Sequence, residues 1–139
     1  MIFFKNFRIT YISSLMNRGE ILLLTLILYT VSILFLIITP DDPEILKNMG
    51  LTTPTMSTLG HITAFGIFGL LVFHFLKSNT LISFRCKYPF RTSYIIAISF
   101  SVFTELLQFG LPGRFPSFTD LGIDIAGISI ALFVVKATI

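Results

Sequence analysis

Four apolar stretches, each long enough to cross a bilayer, occupy most of this 139-residue chain. They run over 21–39, 59–76, 93–109 and 120–136, and spanning takes about 20 residues, with a range of roughly 17–25. An unpaired backbone group in hydrocarbon costs several kcal/mol, so each stretch must be a helix that satisfies its own amides. Proline marks the breaks. Pro40, Pro43 and Pro54 fall in the first connection, Pro89 in the second, and Pro112-Gly113 and Pro116 in the third. The short third connection makes spans three and four antiparallel neighbours. A soluble domain of this length has too much surface for a chain that is 54% hydrophobic and only 12% charged, with sixteen phenylalanines. The expectation is an all-α, polytopic membrane protein: a bundle of four transmembrane helices forming one domain over 20–139, behind a tail at 1–19.

Basic residues orient the bundle. Lys5, Arg8 and Arg18 precede the first span, Lys77, Arg85, Lys87 and Arg91 lie in the second connection, and Lys136 ends the fourth span. Only Lys47 and Arg114 fall on the other side, beside Asp41, Asp42 and Glu44. Positive charge stays in the cytoplasm, so both termini are predicted there, with 40–58 and 110–119 outside the cytoplasmic (inner) membrane. The first apolar run is too long for a signal-peptide core, and no small-residue cleavage site follows it, which predicts an uncleaved anchor. Phe4, Phe7, Tyr11 and Leu15 recur at helical spacing in the tail, with Lys5 and Arg8 on another side. Two readings of the tail stay open: an interfacial amphipathic helix on the inner leaflet, or a frayed segment.

Ionised side chains are rare in spans, where a central charge costs roughly +2.5 to +3.5 kcal/mol on insertion scales. Here Glu105, Gln108, Arg114, Ser117, Asp120 and Asp124 crowd the junction of spans three and four. Glu105 and Gln108 share a helix face with Tyr94, Ala97 and Ser101; Asp120, Asp124, Gly127 and Ala131 share another. His61 lies in the first turn of span two, beside a small-residue pair, Gly60 and Ala64. All these polar residues therefore sit at one level near the outer leaflet, where they should turn inward and meet. Several have a structural explanation as well. Ser117-x-x-Asp120 fits a capping box, Gln108 suits a helix-to-helix hydrogen bond, Arg114 a solvated loop charge, and His61 a packed interfacial histidine. Glu105 and Asp124 resist such readings best, because each lies about a turn deep.

The rest of the chain narrows the field. One cysteine, Cys86, allows no internal disulfide and makes a cysteine metal site improbable. A net charge of +3, unevenly spread, is a poor match to nucleic acid. No nucleotide loop, nucleophile elbow or zincin motif occurs, and no cofactor is expected. His74 and Cys86 lie toward the cytoplasmic end and read as structural. Thr25, Tyr29 and Ser32 make a polar stripe for helix contact on span one.

Glu105-Leu-Leu-Gln108, Leu111-Pro-Gly-Arg114, Ser117-x-x-Asp120, then residue 124 and Gly127, resembles the carboxyl-terminal signature of VanZ-like membrane proteins. His61-x-x-x-Phe65-x-x-x-Gly69 resembles that family's upstream histidine segment. The resemblance covers residues 20–136, with three departures. Asp124 stands where asparagine is usual, Thr58 where lysine often precedes the histidine, and Ala131 where glycine often ends the run. The first adds a negative charge and the second removes a positive one. The resemblance implies a small bacterial membrane protein of the cell envelope and leaves its biochemical activity undefined; antibiotic resistance does not follow from it.

Two functions compete ahead of a third, proton-coupled transport, for which four helices leave little room without a dimer. In the first, an outward-facing site binds or processes a lipid-linked envelope precursor or a lipophilic antibiotic such as a lipoglycopeptide. Arg114 would hold phosphate or carboxylate, and Glu105 would do acid–base work with His61 as its proton partner. In the second, the protein is a structural or accessory subunit whose Glu105–Arg114–Asp120 network locks the bundle. Membrane lipid is the expected partner in both, and a homo-oligomer is compatible with either.

Overall fold

The structure is a computed structural model, and the residues it describes are 17–38, 54–78, 86–111 and 116–138. All four expected spans are helices: α1 (Arg18–Ile38), α2 (Pro54–Ser78), α3 (Pro89–Gln108) and α4 (Phe118–Thr138). Each contains a stretch long and apolar enough to cross a membrane, which makes the chain an all-helical multi-pass membrane protein. The described residues contain no strand. The tail over 1–16, most of the first connection and Arg114 lie outside the described residues.

The helices overrun their apolar stretches, and capping chemistry explains where they start. Pro54 and Pro89 open α2 and α3 rather than lying in the connections, since the first helical turn needs no amide proton from proline. Asn17 caps α1. Its Oδ1 accepts from the amides of Gly19 and Glu20, both at 3.0 Å, while Glu20 Oε2 accepts from the Asn17 amide at 2.9 Å. This is a closed capping box. Asn17→Ala should cost about 1 kcal/mol, visible as faster hydrogen exchange at Gly19 and Glu20 with the rest of α1 unchanged. Unchanged exchange at those two amides would show that the box does not hold the helix start. At the other end of the hairpin, α3 tightens before it stops: Phe109, Gly110 and Leu111 donate to the carbonyls of Leu106, Leu107 and Gln108 at 3.1–3.2 Å.

Helix α2 is the centre of the bundle and touches the other three, whereas α1 and α4 do not meet. Its Phe65, Phe68, Val72 and Phe73 are buried against Ala97 of α3, Ile128 and Leu132 of α4, and Ile33 and Ile37 of α1. Phe68 stacks on Phe100 with ring centroids 4.5 Å apart. Lipid tails are as apolar as leucine, so such packing, with close backbone approach, must hold the helices together. The closest approach is between α2 and α4. A Cβ built on Gly127 would run into the Ile62 carbonyl oxygen and lie 2.8 Å from Ile62 Cα. Gly66 faces the same crossing, with the Gly127 carbonyl oxygen 3.2 Å from where its Cβ would stand. Gly60, expected to pair with Ala64 in such a contact, has nothing within 4 Å of its Cβ position. The contact register, at Ile62 and Gly66, falls two residues further along α2, about half a turn.

The polar stripe of α1 divides in two. Tyr29 donates to the Ala64 carbonyl of α2 at 3.1 Å, a real interhelical bond, while Thr25 and Ser32 bond back to their own helix at Ile21 and Leu28. His74 packs edge-on to Phe73, and Cys86 Sγ lies 3.4 Å from Thr92 Oγ1.

Candidate functional site

The close crossing of α2 and α4 sets the geometry of the polar cluster. His61 immediately precedes Ile62, and Asp124 lies three residues before Gly127, so the backbone contact brings the two side chains together. Asp124 Oδ1 is 2.8 Å from His61 Nδ1. The second carboxylate oxygen, Oδ2, accepts from Ser101 Oγ of α3 at 2.7 Å. Asp124 is wholly buried, about 9 Å along the axis from the start of α4, and it ties three helices at one point. A carboxylate accepts only, so Nδ1 carries the proton and Nε2 is the ring nitrogen left for other partners. Phe65, one turn on, lies nearly parallel to the imidazole with centroids 6.3 Å apart.

Glu105 makes a second tie. Its Oε2 accepts from the Ser117 amide at 2.8 Å, and its Oε1 lies 3.4 Å from Gln108 Nε2. Ser117 Oγ in turn accepts from the Asp120 amide at 3.2 Å, the first arm of the expected capping box. The second arm differs. In α1 the cap amide goes to the glutamate three residues on; in α4 it goes to Glu105 of the preceding helix. The half-buried Asp120 carboxylate, one methylene shorter than Glu20, accepts no hydrogen bond among the described residues. It is left at the positive end of the α4 dipole.

The structure therefore brings His61, Glu105, Gln108, Ser117, Asp120 and Asp124 to one end of the bundle, and Arg114 lies outside the described residues. Two pairings differ from expectation. His61 is hydrogen-bonded to Asp124, with no bond to Glu105 among the described residues, and the Glu105 carboxylate is held by Ser117 and Gln108, with Asp120 absent from its hydrogen bonds. Ser101 and Thr104, both buried, join the cluster unannounced by charge. Ser101 had a signal, its place on the Glu105 face of α3; Thr104 spends its hydroxyl on the Ser101 carbonyl at 2.8 Å and lines the cavity described next.

Between α1, α2 and α3 a cleft of about 200 Å³ opens onto this cluster. His61, Glu105, Gln108 and Thr104 give it polar groups, and Gly60 and apolar side chains of α1 and α2 line the rest. His61–Asp124 is the one acid–base contact among the described residues, and no lysine or arginine among them pairs with the carboxylates. Nor do three His, Cys, Asp or Glu side chains among them converge on a common metal position. What the cleft offers is acceptor chemistry: carboxylate and amide oxygens and an imidazole nitrogen at the edge of hydrocarbon.

No curated protein and no solved structure matches the chain. A model of the VanZ/LLP1 family does, over residues 1–139. With four membrane helices and the described signature residues gathered at one end of the bundle, the chain belongs to the VanZ/LLP1 family.

Proposed function

We propose that this protein binds the polar head of a lipid-linked envelope molecule or a lipophilic antibiotic, in a cleft facing the outer side of the cytoplasmic membrane. The observation carrying this reading is His61. Its Nδ1 is held at 2.8 Å by a fully buried aspartate, which leaves Nε2 as the acceptor of a residue that lines the cleft. Orienting an imidazole through its other nitrogen is how proteins prepare it for a ligand or a proton. The walls favour a head group that donates hydrogen bonds, a hydroxyl or an amine, over a bare anion. Arg114 is the group the sequence offers to an anionic part of the same molecule. The distribution of lysine and arginine supports the outward orientation. The same dyad suits proton transfer: His61 would take a proton from a bound hydroxyl, and Asp124 would stabilise the imidazolium formed.

Only two histidines occur in the chain, so a ¹⁵N-histidine label assigned with His74→Gln reads His61 directly. In membranes of phosphatidylcholine, whose head group has no donor, His61 should show the Nδ1–H form. Adding phosphatidylglycerol, whose head carries two hydroxyls, should shift Nε2. A signal indifferent to head group, or an Nε2–H form, would end this reading. Glu105→Gln keeps an oxygen for the Ser117 amide and removes the charge, so the fold should hold while the Nε2 response weakens.

One observation favours the accessory-subunit reading. Asp124 spends both oxygens on neighbouring helices and Glu105 spends one on the cap of α4, as locks would. On that reading Glu105→Gln would leave the histidine response as it was.

A further inference from the structure

Glu105 has a second cavity on its other side. Between the carboxyl-terminal end of α3 and the start of α4 runs a groove of about 490 Å³. Its lining includes Leu106, Phe109, Phe118 and Leu121, together with Glu105 and Ser117. Phe118 is 94% exposed and Phe109 79%, so this side of the bundle faces its solvent, which for spanning helices is hydrocarbon. Such exposure does not by itself select an occupant. The position of Glu105 does: the same residue lines the apolar groove and the cleft that holds His61. The two cavities share Glu105 and are unlike: the smaller carries His61, Thr104, Glu105 and Gln108 among apolar side chains, and the larger, of more than twice the volume, is lined almost wholly by apolar ones. That is the shape of an amphiphile.

We propose that the α3–α4 groove holds the hydrocarbon chain of the same lipid-linked molecule whose head group occupies the His61 cleft. The proposal rests on the head-group reading and adds the substrate class: a long hydrocarbon chain joined to a hydrogen-bond-donating head, the two meeting beside Glu105. The groove has room for on the order of fifteen chain carbons if each takes about a water's share of volume, ~30 Å³. A hydroxyl or amine at the junction meets the carboxylate, whose Oε1 has only the long 3.4 Å contact with Gln108.

The test uses the full chain in vesicles containing phosphatidylglycerol or phosphatidylcholine, each with a photoactivatable diazirine in one acyl chain. Crosslinked residues are then mapped by mass spectrometry. With phosphatidylglycerol, Leu106 and Leu121 should be labelled several-fold more than Leu28 of α1 and Phe133 of α4, which are exposed but outside the groove. Phosphatidylcholine should show no such preference. Leu121→Trp should fill the groove and abolish the excess, and Leu106→Trp provides a second plug should the first variant not fold. Gly60→Leu closes the head-group cleft without a clash, since its Cβ position is open, and should erase the phosphatidylglycerol preference too. Even labelling of all four residues means annular lipid only and overturns the proposal. So does a groove labelled equally by both lipids, or one indifferent to Gly60→Leu, because the groove and the cleft would then be independent. Even labelling with a responsive His61 removes this inference alone. Selective labelling with a silent His61 removes the head-group reading, and the link between the cavities with it.

Discussion

Gly127→Ala should lower the stability of the bundle by about 2–3 kcal/mol, and Gly127→Leu should leave no folded protein. The added Cβ meets backbone: the Ile62 oxygen, with Ile62 Cα at 2.8 Å and its carbonyl carbon at 3.0 Å. A side chain could rotate away, but a helix backbone has to move as a unit. Separating α2 from α4 would open the layer where Phe65 and Phe68 meet Ile128 and Leu132, all nearly or wholly buried. Three other glycines calibrate the measurement. Gly66→Ala, with its nearest atom at 3.2 Å, should cost less, because a shift of a few tenths of an ångström relieves it. Gly60→Ala and Gly122→Ala meet nothing within 4 Å and should gain a little, up to about 1 kcal/mol from helix propensity. Equilibrium unfolding in mixed micelles gives the ranking. If Gly127→Ala is as stable as Gly122→Ala, α2 and α4 do not cross at this point, and the site geometry that depends on the crossing goes with it.

The crossing also explains what was legible in the sequence. Span number and breaks follow from hydropathy and proline, because lipid demands long uninterrupted helices and proline is confined to their first turns. The inward gathering of Glu105, Gln108 and Asp124 follows from the cost of showing charge to hydrocarbon. Which residues then touch does not follow. Helix α2 is apolar on all sides, so Gly60–Ala64 looks as good a contact as Gly66. Only the register of α2 on α4 decides between them, and that register is a property of two surfaces together. His61 was matched with Glu105 on level alone; sliding the contact to Ile62 and Gly127 hands it to Asp124. Likewise Ser117-x-x-Asp120 is a valid capping signal, but whether the cap amide goes to Asp120 or to a neighbouring helix depends on what packs beside it. Arg114 lies outside the described residues, and its role rests on the sequence.

Asp124→Leu should abolish the response of His61 to head groups and destabilise the bundle by about 1–3 kcal/mol. The second figure comes from the two interhelical bonds Asp124 accepts, from His61 and Ser101, since such bonds within membranes are worth about 0.6 kcal/mol on average and about 1.7 at most. The first follows from chemistry. Without an acceptor at Nδ1 the imidazole is free to turn and to exchange tautomers, and Nε2 is no longer a fixed acceptor. Asp124→Asn separates what the charge does from what the oxygen does. Asparagine is usual at this position in VanZ-like proteins, and its Oδ1 can accept from His61 while its amide donates to Ser101 Oγ. Stability should stay within about 1 kcal/mol of the native chain, His61 should keep the Nδ1–H form, and phosphatidylglycerol should still shift Nε2. What asparagine cannot do is stabilise an imidazolium, so any proton transfer at a bound hydroxyl should fall while binding survives. A variant Asp124→Asn that loses the Nδ1–H form would show that the negative charge, and not the acceptor oxygen, orients the ring. An Asp124→Leu protein with native stability and an unchanged histidine signal would mean that the His61–Asp124 bond does not form in the membrane, and the head-group site would have no anchor.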